Sequence, residues 1–294
     1  MVNSPEILLP ESTEEVAAIL REGQAVQVAG NRTHEPFWVK STNANDCAEI
    51  VPRLLSTRML CGVVEHFADD QVVVVRAGTT LEELTRAIVP AGQCLPIVLA
   101  LPGRPDATVG GLLSMNLPHL LDAQCGSWRD WILGMTVVRA NGTIAKCGSL
   151  AVKNVAGYDV QKLFIGARGT LGVITEVIFK SYPVKARPHP ALIEGPLDAG
   201  ETYWIQRVFP TDFDAALEAA RESLMFADRA SSTLYCAPKS YVTLPRYLGD
   251  WVIRGGCGAK NLPIADPVQQ RLMLRAKELF DPGRLLNPGA MGIF

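Results

Sequence analysis

Between Gly166 and Phe179 the chain runs through three glycines spaced by three, Gly166, Gly169 and Gly172, and passes directly into the β-branched stretch VITEVIF. Glycine accepts positive φ and lets other groups approach the backbone where a Cβ would intrude. The apolar, β-branched run behind it has the composition of a strand. A turn of this kind feeding a buried strand must lie at the end of a sheet, a common position for ligands. Three uses fit it: a phosphate cradle, a rest for a flat aromatic ring, or a tight turn leading into a strand. The common nucleotide loops do not decide the matter. No G-x-x-x-x-G-K-[ST] occurs, and the first strand ends at a single glycine, Gly30, where a dinucleotide fingerprint needs G-x-G-x-x-G.

Local signals order the rest of the chain. Ser12 and Glu15 have capping-box spacing and predict a short helix stopped by Gly23. Val26 and Val28 then alternate as a strand ending at Gly30, followed by the turn AGNRTHEPFW. VVVVRA, residues 72–77, reads as a buried strand, and Thr80 with Glu83 starts a helix running to Gly92. PIVLALPGRPDATVGGLLSMN reads mainly as loop, with a turn at Gly110 and Gly111; long loops in compact domains usually serve a function. Asn141-Gly142 between two apolar runs predicts a hairpin with positive φ favoured at both turn positions. Beyond Pro188 the chain predicts a strand in ETYWIQRVF, an amphipathic helix over TDFDAALEAARESLMFA, a strand in SSTLYCAP and a further pair in YLGDWVIRGG. A last helix, Pro267 to Phe280, precedes FDPGRLLNPG. Strands come in clusters rather than in βαβ alternation, so the fold class is α+β.

Composition narrows the partners. A net charge of -2 and a pI near 6.1, with no run of like charges, give no footprint for nucleic acid. No apolar stretch reaches the roughly 20 residues that cross a bilayer, and the N-terminus lacks a signal-peptide pattern, so a cytoplasmic protein without a transmembrane segment is expected. Seven cysteines (47, 61, 94, 125, 147, 236 and 257) are scattered without a C-x-x-C pair and read as reduced, mostly buried thiols. Histidines 34, 66, 119 and 189 are equally dispersed, so no metal site is expected from local spacing.

Taken together, AGTTLEELTRAIVPAG, DATVGGLLSMN, CGSWRDWILGMTVVRANGTI, KNVAGYDVQKLFIGARGTLGVITEVIFKSYP and KELFDPGRLLNPG resemble the flavoproteins of the vanillyl-alcohol oxidase and p-cresol methylhydroxylase (PCMH) type. Within that family the wording around Gly166 is most similar to the FAD-binding subunits of bacterial glycolate oxidases. The resemblance implies a PCMH-type FAD-binding domain over residues 1–184, in two subdomains of about 1–60 and 61–184. It implies a short α+β cap domain on the substrate side over 185–260, and a C-terminal helix and tail, 261–294, returning to the FAD domain. FAD would be bound non-covalently. Ala29, Gly30, Asn31, Arg32, Thr33 and His34 would form the loop at its pyrophosphate. Thr108, Gly110, Gly111 and Asn116 would lie along the pyrophosphate and ribityl chain. Gly126, Arg129 and Asp130 match the next cofactor-contacting turn, and Gly169, Thr170, Gly172, Val173 and Ile174 the backbone beside the isoalloxazine.

The chain departs from the family at three points. Gly30-Asn31-Arg32-Thr33-His34 stands where two or three glycines are usual, with Arg32 as an alternative source of positive charge. Leu117-Pro118 replaces a frequent Ala-Gly, and the His-Gly-Asp-Gly-Asn type segment of the metal-assisted members is missing. His34 lies one position from the histidine that carries covalent flavin in some relatives, and reads here as a solvated or packed loop residue. Tyr158 and Asp159 fit either a flavin-facing role or helix capping and packing. The resemblance implies an FAD-binding subunit of a glycolate (2-hydroxy acid) oxidase complex. It would work beside a catalytic flavoprotein subunit and an iron–sulfur subunit, with any contact to the inner membrane made through them. A stand-alone FAD-dependent dehydrogenase of a small hydroxy acid or alcohol, and a structural subunit with weakened FAD binding, are the other readings. Oxidising a 2-hydroxy acid needs a base for the hydroxyl proton and a cation for the carboxylate; no compact set of residues supplies them, and no catalytic residue is assigned.

Overall fold

The computed structural model of the chain describes residues 6–32, 53–97, 106–116, 119–151, 158–189, 192–195, 203–237, 249–253, 267–288 and 290. Strand β1 (Glu6–Leu8) leads to helix α1 (Thr13–Arg21) and strand β2 (Gln27–Ala29), and β3 (Arg53–Ser56) lies between β1 and β2, parallel to both. Ser12 Oγ accepts from the Glu15 amide at 3.1 Å, as its position predicts. The Glu15 carboxylate accepts from the amide of Glu11 (2.9 Å), one residue earlier than a reciprocal box requires. This small parallel sheet is the exception to the clustered antiparallel pattern.

Strands β4 (Val63–Phe67) and β5 (Val72–Arg76) follow, then α2 (Leu81–Ile88) and the two-residue β6 (Gln93–Cys94). Val72 to Val75 are buried on both faces of β5. The capping box of α2 is complete: Thr80 N–H donates to Glu83 Oε2 at 2.8 Å and Glu83 N–H to Thr80 Oγ1 at 3.1 Å. The α-helical geometry ends at Ile88 because Pro90 has no N–H to continue it, and a 3₁₀ turn carries the chain to Gly92.

The Gly110-Gly111 pair is not a turn. It lies in the first turn of α3 (Val109–Met115), capped by Thr108. The glycines permit close packing there: Gly110 N–H donates to the Ala77 carbonyl at 2.8 Å, and a Cβ at 110 would lie 2.9 Å from Ala77 Cβ. Short helices α4 (Asp122–Cys125) and α5 (Trp128–Trp131) lead into the hairpin of β7 (Ile132–Val138) and β8 (Ile144–Gly148). Its loop spans 139–143, and only Gly142, not Asn141, takes positive φ. Arg139 pairs with Thr143 across the loop, and the Asn141 side chain accepts from the Thr143 amide at 3.0 Å. This loop is longer than the two-residue turn expected.

Strand β9 (Val173–Lys180) follows, and β10 (Tyr182–Pro183) pairs with β6. The main antiparallel sheet has the order β4-β5-β9-β7-β8. One face packs against α2, α3, Trp128, Trp131 and Phe164, the largest core of the chain. A second core joins Val16, Ala17 and Leu20 of α1 to Leu55, Val138, Val173 and Leu286.

A third sheet, β11-β13-β14-β12-β15, is built from β11 (Leu192–Glu194), β12 (Tyr203–Arg207), β13 (Leu224–Asp228), β14 (Thr233–Cys236) and β15 (Gly249–Ile253), with helix α6 (Phe213–Ala219). The helix expected to run through Leu224–Phe226 stops at α6 instead. Leu224 to Asp228 are five consecutive buried positions, which leaves no polar face for a surface helix and suits a strand covered on both sides. YLGDWVIRGG contributes the single strand β15 among the described residues. Val208, Phe213, Ala216, Leu234 and Cys236 give this sheet its own core. Helix α7 (Pro267–Phe280), with the predicted bounds, packs back on the first part of the chain through Phe280, whose ring meets Phe164 edge-on. Among the described cysteines, Cys94 and Cys236 are buried, Cys125 and Cys147 half-buried and Cys61 exposed.

Candidate functional site

Three segments far apart in sequence line one cleft that is open to solvent. The first wall is Gln27 to Arg32, where β2 ends; the second is Thr108, Gly110, Gly111, Ser114 and Met115 of α3; the third is Arg168, Gly169, Gly172 and Ile174. Each wall is pinned to its neighbours. Ser56 Oγ donates to the Gly30 carbonyl at 3.0 Å, Thr57 Oγ1 to the Ala29 carbonyl at 3.3 Å, and Asn31 Nδ2 to the Asp106 carbonyl at 2.8 Å. Gly30 faces Thr108 so closely that a Cβ there would lie 2.1 Å from Thr108 Oγ1. The third wall hangs from the end of α3, through Gly166 N–H to the Leu113 carbonyl and Arg168 N–H to the Ser114 carbonyl, both 2.9 Å.

The C-terminal tail ties the first and third walls together. Val26 N–H donates to the Leu285 carbonyl at 2.8 Å, and Asn287 N–H to the Val26 carbonyl at 3.0 Å, so the tail lies alongside β2. The Asn287 side chain then links the first and third walls: Oδ1 accepts from Val28 N–H at 2.6 Å and Nδ2 donates to the Arg168 carbonyl at 2.7 Å. Asn287 adopts φ 45°, a conformation asparagine tolerates better than most residues. Behind it, the buried Lys277 ammonium donates to Asp281 Oδ2 (2.6 Å) and to the carbonyls of Thr170 and Leu286 (both 2.8 Å). Burial pulls Lys277 below its ordinary value, and Asp281 opposes that pull. Asp281 in turn accepts from the amides of Leu285 and Leu286. The motif KELFDPGRLLNPG thus acts as a polar clasp behind the glycine-rich loop.

The cleft unites Ala29, Gly30, Asn31, Arg32, Thr108, Gly110, Gly111, Gly169, Gly172 and Ile174 from the residues singled out in the sequence. Thr33 and His34 lie outside the described residues. Asn116, Gly126, Arg129, Asp130, Thr170 and Val173 are not among the residues lining the cleft. Asn116 ends α3 at φ 48°, Asp130 accepts from Ser127 to cap α5 at 2.8 Å, and Arg129 donates to the Ile165 carbonyl at 3.1 Å. Thr170 is buried behind the loop, and Val173 belongs to the second core. Tyr158 is 94% exposed, and Asp159 pairs with Lys162 at 2.7 Å. Gln27, Leu54, Thr57, Met115 and Arg168, which line the cleft, and Asn287 behind it carry no local sequence signal for that role. Asn287 lies in KELFDPGRLLNPG, but nothing local marks its partners.

The α3 amides nearest the cleft already have partners: Val109 on Thr79, Gly110 on Ala77 and Gly111 on Thr108 Oγ1. Positive character on the cleft therefore comes from Arg32 and Arg168. Val28, Leu54, Met115 and Ile174 add apolar surface between the polar groups. A cleft with apolar walls and two placed cations suits an anionic ligand that also carries a flat ring system. That donor set fits FAD, which joins a diphosphate to two ring systems.

A second polar cluster joins the third sheet to the rest. Asp122 Oδ2 pairs with Arg207 of β12 at 2.6 Å. Buried His119 places Nε2 2.9 Å from Asp122 Oδ1 and 3.0 Å from the Gly126 carbonyl, and its Nδ1 accepts from Leu121 N–H at 3.2 Å. The ring proton is therefore on Nε2. Burial pushes the Asp122 carboxyl upward, but contacts with His119 and Arg207 outweigh it and hold the group below the usual aspartate value.

Residues 5–148 match the FAD binding domain family, and the chain carries a PCMH-type FAD-binding domain within an α+β fold; its cofactor is FAD. Over 174 residues it is 33% identical to the mitochondrial D-2-hydroxyglutarate dehydrogenase of Rattus norvegicus, covering 59% of this chain and 32% of that protein. To the D-lactate dehydrogenase of Archaeoglobus fulgidus it is 30% identical over 196 residues, covering 63% and 42%. To glycolate oxidase subunit GlcE of Escherichia coli (strain K12) it is 34% identical over 143 residues, covering 49% and 40%. The matched stretches thus span about a third to two fifths of these curated relatives. The family match carries the first two walls of the cleft; the third wall and the clasp lie beyond it.

Proposed function

We propose that this chain is an FAD-binding subunit of an oxidoreductase complex acting on glycolate or a similar 2-hydroxy acid, and that it needs partner subunits for turnover. We place the FAD-binding domain at residues 1–184, a reduced cap at 185–260, and a C-terminal segment at 261–294 that closes the cofactor cleft. The carrying observation is the cleft itself, in which the loop after β2, α3 and the glycine-rich turn before β9 converge and are locked by Asn287. Similarity to a glycolate oxidase subunit over 143 residues supports the subunit role. Bound FAD supplies a two-electron acceptor and a route for relaying those electrons.

This chain's residues supply binding and exclusion of water. We assign direct cofactor contact to Ala29–Arg32, Thr108, Gly110, Gly111, Gly169, Gly172 and Ile174, and, from the family resemblance, to Thr33 and His34. Asn116, Gly126, Arg129, Asp130, Thr170 and Val173 hold those walls in place. The partners in this reading are a catalytic flavoprotein subunit and an iron–sulfur subunit. The test is the visible spectrum of the purified chain, followed by anaerobic addition of glycolate or D-lactate. Flavin bands that persist with substrate are expected. Bleaching by the isolated chain would establish a self-sufficient dehydrogenase instead, and a colourless chain that cannot be reconstituted with FAD would overturn the cofactor role.

A further inference from the structure

Two of the residues lining the cleft are arginines in the left-handed backbone region, Arg32 at φ 56° and Arg168 at φ 51°. That conformation disfavours any residue with a Cβ and is uncommon for long side chains. Strain of this kind, of order 1–3 kcal/mol, persists where surrounding structure enforces it, and it concentrates at ligand-binding sites. Here the enforcement is visible. Arg168 N–H is held by the Ser114 carbonyl and its carbonyl by Asn287 Nδ2, and Asn31, the neighbour of Arg32, is held by the Asp106 carbonyl. None of these bonds uses an arginine side chain, so glycine would meet the same backbone demand at either position without strain.

We propose that Arg32 and Arg168, one from each wall of the cleft, form a guanidinium clamp for a diphosphate, the central group of FAD. Arginine presents a planar fork of donors that matches phosphate oxygens, and its charge persists when partly desolvated. Burial lowers the Arg168 guanidinium from its ordinary value, and a bound anion counteracts that cost of desolvation. The clamp performs electrostatically what the α3 amides cannot, since those amides are taken by Thr79, Ala77 and Thr108. The inference rests on the cleft being the FAD site.

The experiment compares the full-length chain with Arg168→Gly, Arg32→Gly and the double variant. Its readouts are FAD affinity by flavin fluorescence at two salt concentrations, riboflavin affinity, and thermal protection by inorganic pyrophosphate. Each single variant should stay folded, shown by a cooperative thermal transition. Each should weaken FAD at least tenfold, flatten the salt dependence, reduce pyrophosphate protection and leave riboflavin binding unchanged. FAD affinity within twofold of the parent chain, or a parallel loss of riboflavin, would overturn the clamp. If the parent chain binds no FAD, the cofactor reading fails, and pyrophosphate protection that depends on both arginines still decides the clamp.

Discussion

Replacing Asn287 with Ala tests whether the C-terminal tail holds the cleft in shape. Asn287 is 2% exposed, and its side chain satisfies two backbone groups, Val28 N–H and the Arg168 carbonyl. Leaving a buried backbone group without a partner costs about 1–3 kcal/mol, and alanine at a left-handed position adds about 1 kcal/mol relative to asparagine. With two groups left unpaired, these give roughly 3–7 kcal/mol, a fall in melting temperature of about 6 °C or more. Asn287→Asp separates the two bonds. It keeps an acceptor for Val28 N–H but places a carboxylate oxygen against the Arg168 carbonyl, so it should be destabilised through the third wall alone. Urea unfolding and FAD titration of both variants check this. Asn287→Ala should also weaken FAD more than stability alone explains, because the freed wall bears Arg168 and Gly169. If Asn287→Ala unfolds within about 0.5 kcal/mol of the parent chain and binds FAD equally well, the tail does not organise the cleft.

Three further outcomes are expected. Lys277→Met leaves the buried Asp281 carboxylate without its cation and the Thr170 carbonyl without its donor. It should cost about 3–5 kcal/mol in urea unfolding, and a loss below 1 kcal/mol would contradict the clasp. Gly30→Ala drives a Cβ to 2.1 Å from Thr108 Oγ1 and should force the first two walls apart, raising the FAD dissociation constant tenfold or more, about 1.4 kcal/mol; unchanged affinity would show that the walls adjust freely. Asp122 has a folded-state pKa held below its ordinary 3.8, so it adds stability fully present above that value and lost as pH falls through the depressed one. Asp122→Asn should therefore flatten the stability profile only below about pH 4, and an equal acid slope in both chains would dismiss the Asp122–Arg207 pair as a stabilising contact.

Much of the architecture was readable locally. Thr80 and Glu83 specify a helix start within four residues, the valines at 72–75 mark a strand covered on both faces, and Pro267 to Phe280 carries a helical pattern from end to end. The failures share a cause. Gly110-Gly111 has a turn's composition, yet it is helical because Ala77 and Thr79 offer carbonyls to its first amides. LMFAD has residues that suit either a helix or a strand, and β14 and β11, lying on either side of it, make it a strand. Propensity is a weak prior wherever a neighbouring strand or backbone carbonyl is waiting.

The sequence by itself determined the α+β class, the cofactor family and the glycine-bearing segments from which the cleft is made, because caps, strand composition and motif wording are properties of short windows. Only the tertiary structure decided what those segments do to one another. Val28 meets Asn287 across 259 positions and Asn287 meets Arg168 across 119, and no window of the chain contains either pair. A hydrogen bond of this kind exists only after α1, β9 and α7 have packed. The glycine run at 166 to 172, equally suited by composition to a phosphate, a ring or a bare turn, became one wall of a cleft when the tail arrived behind it.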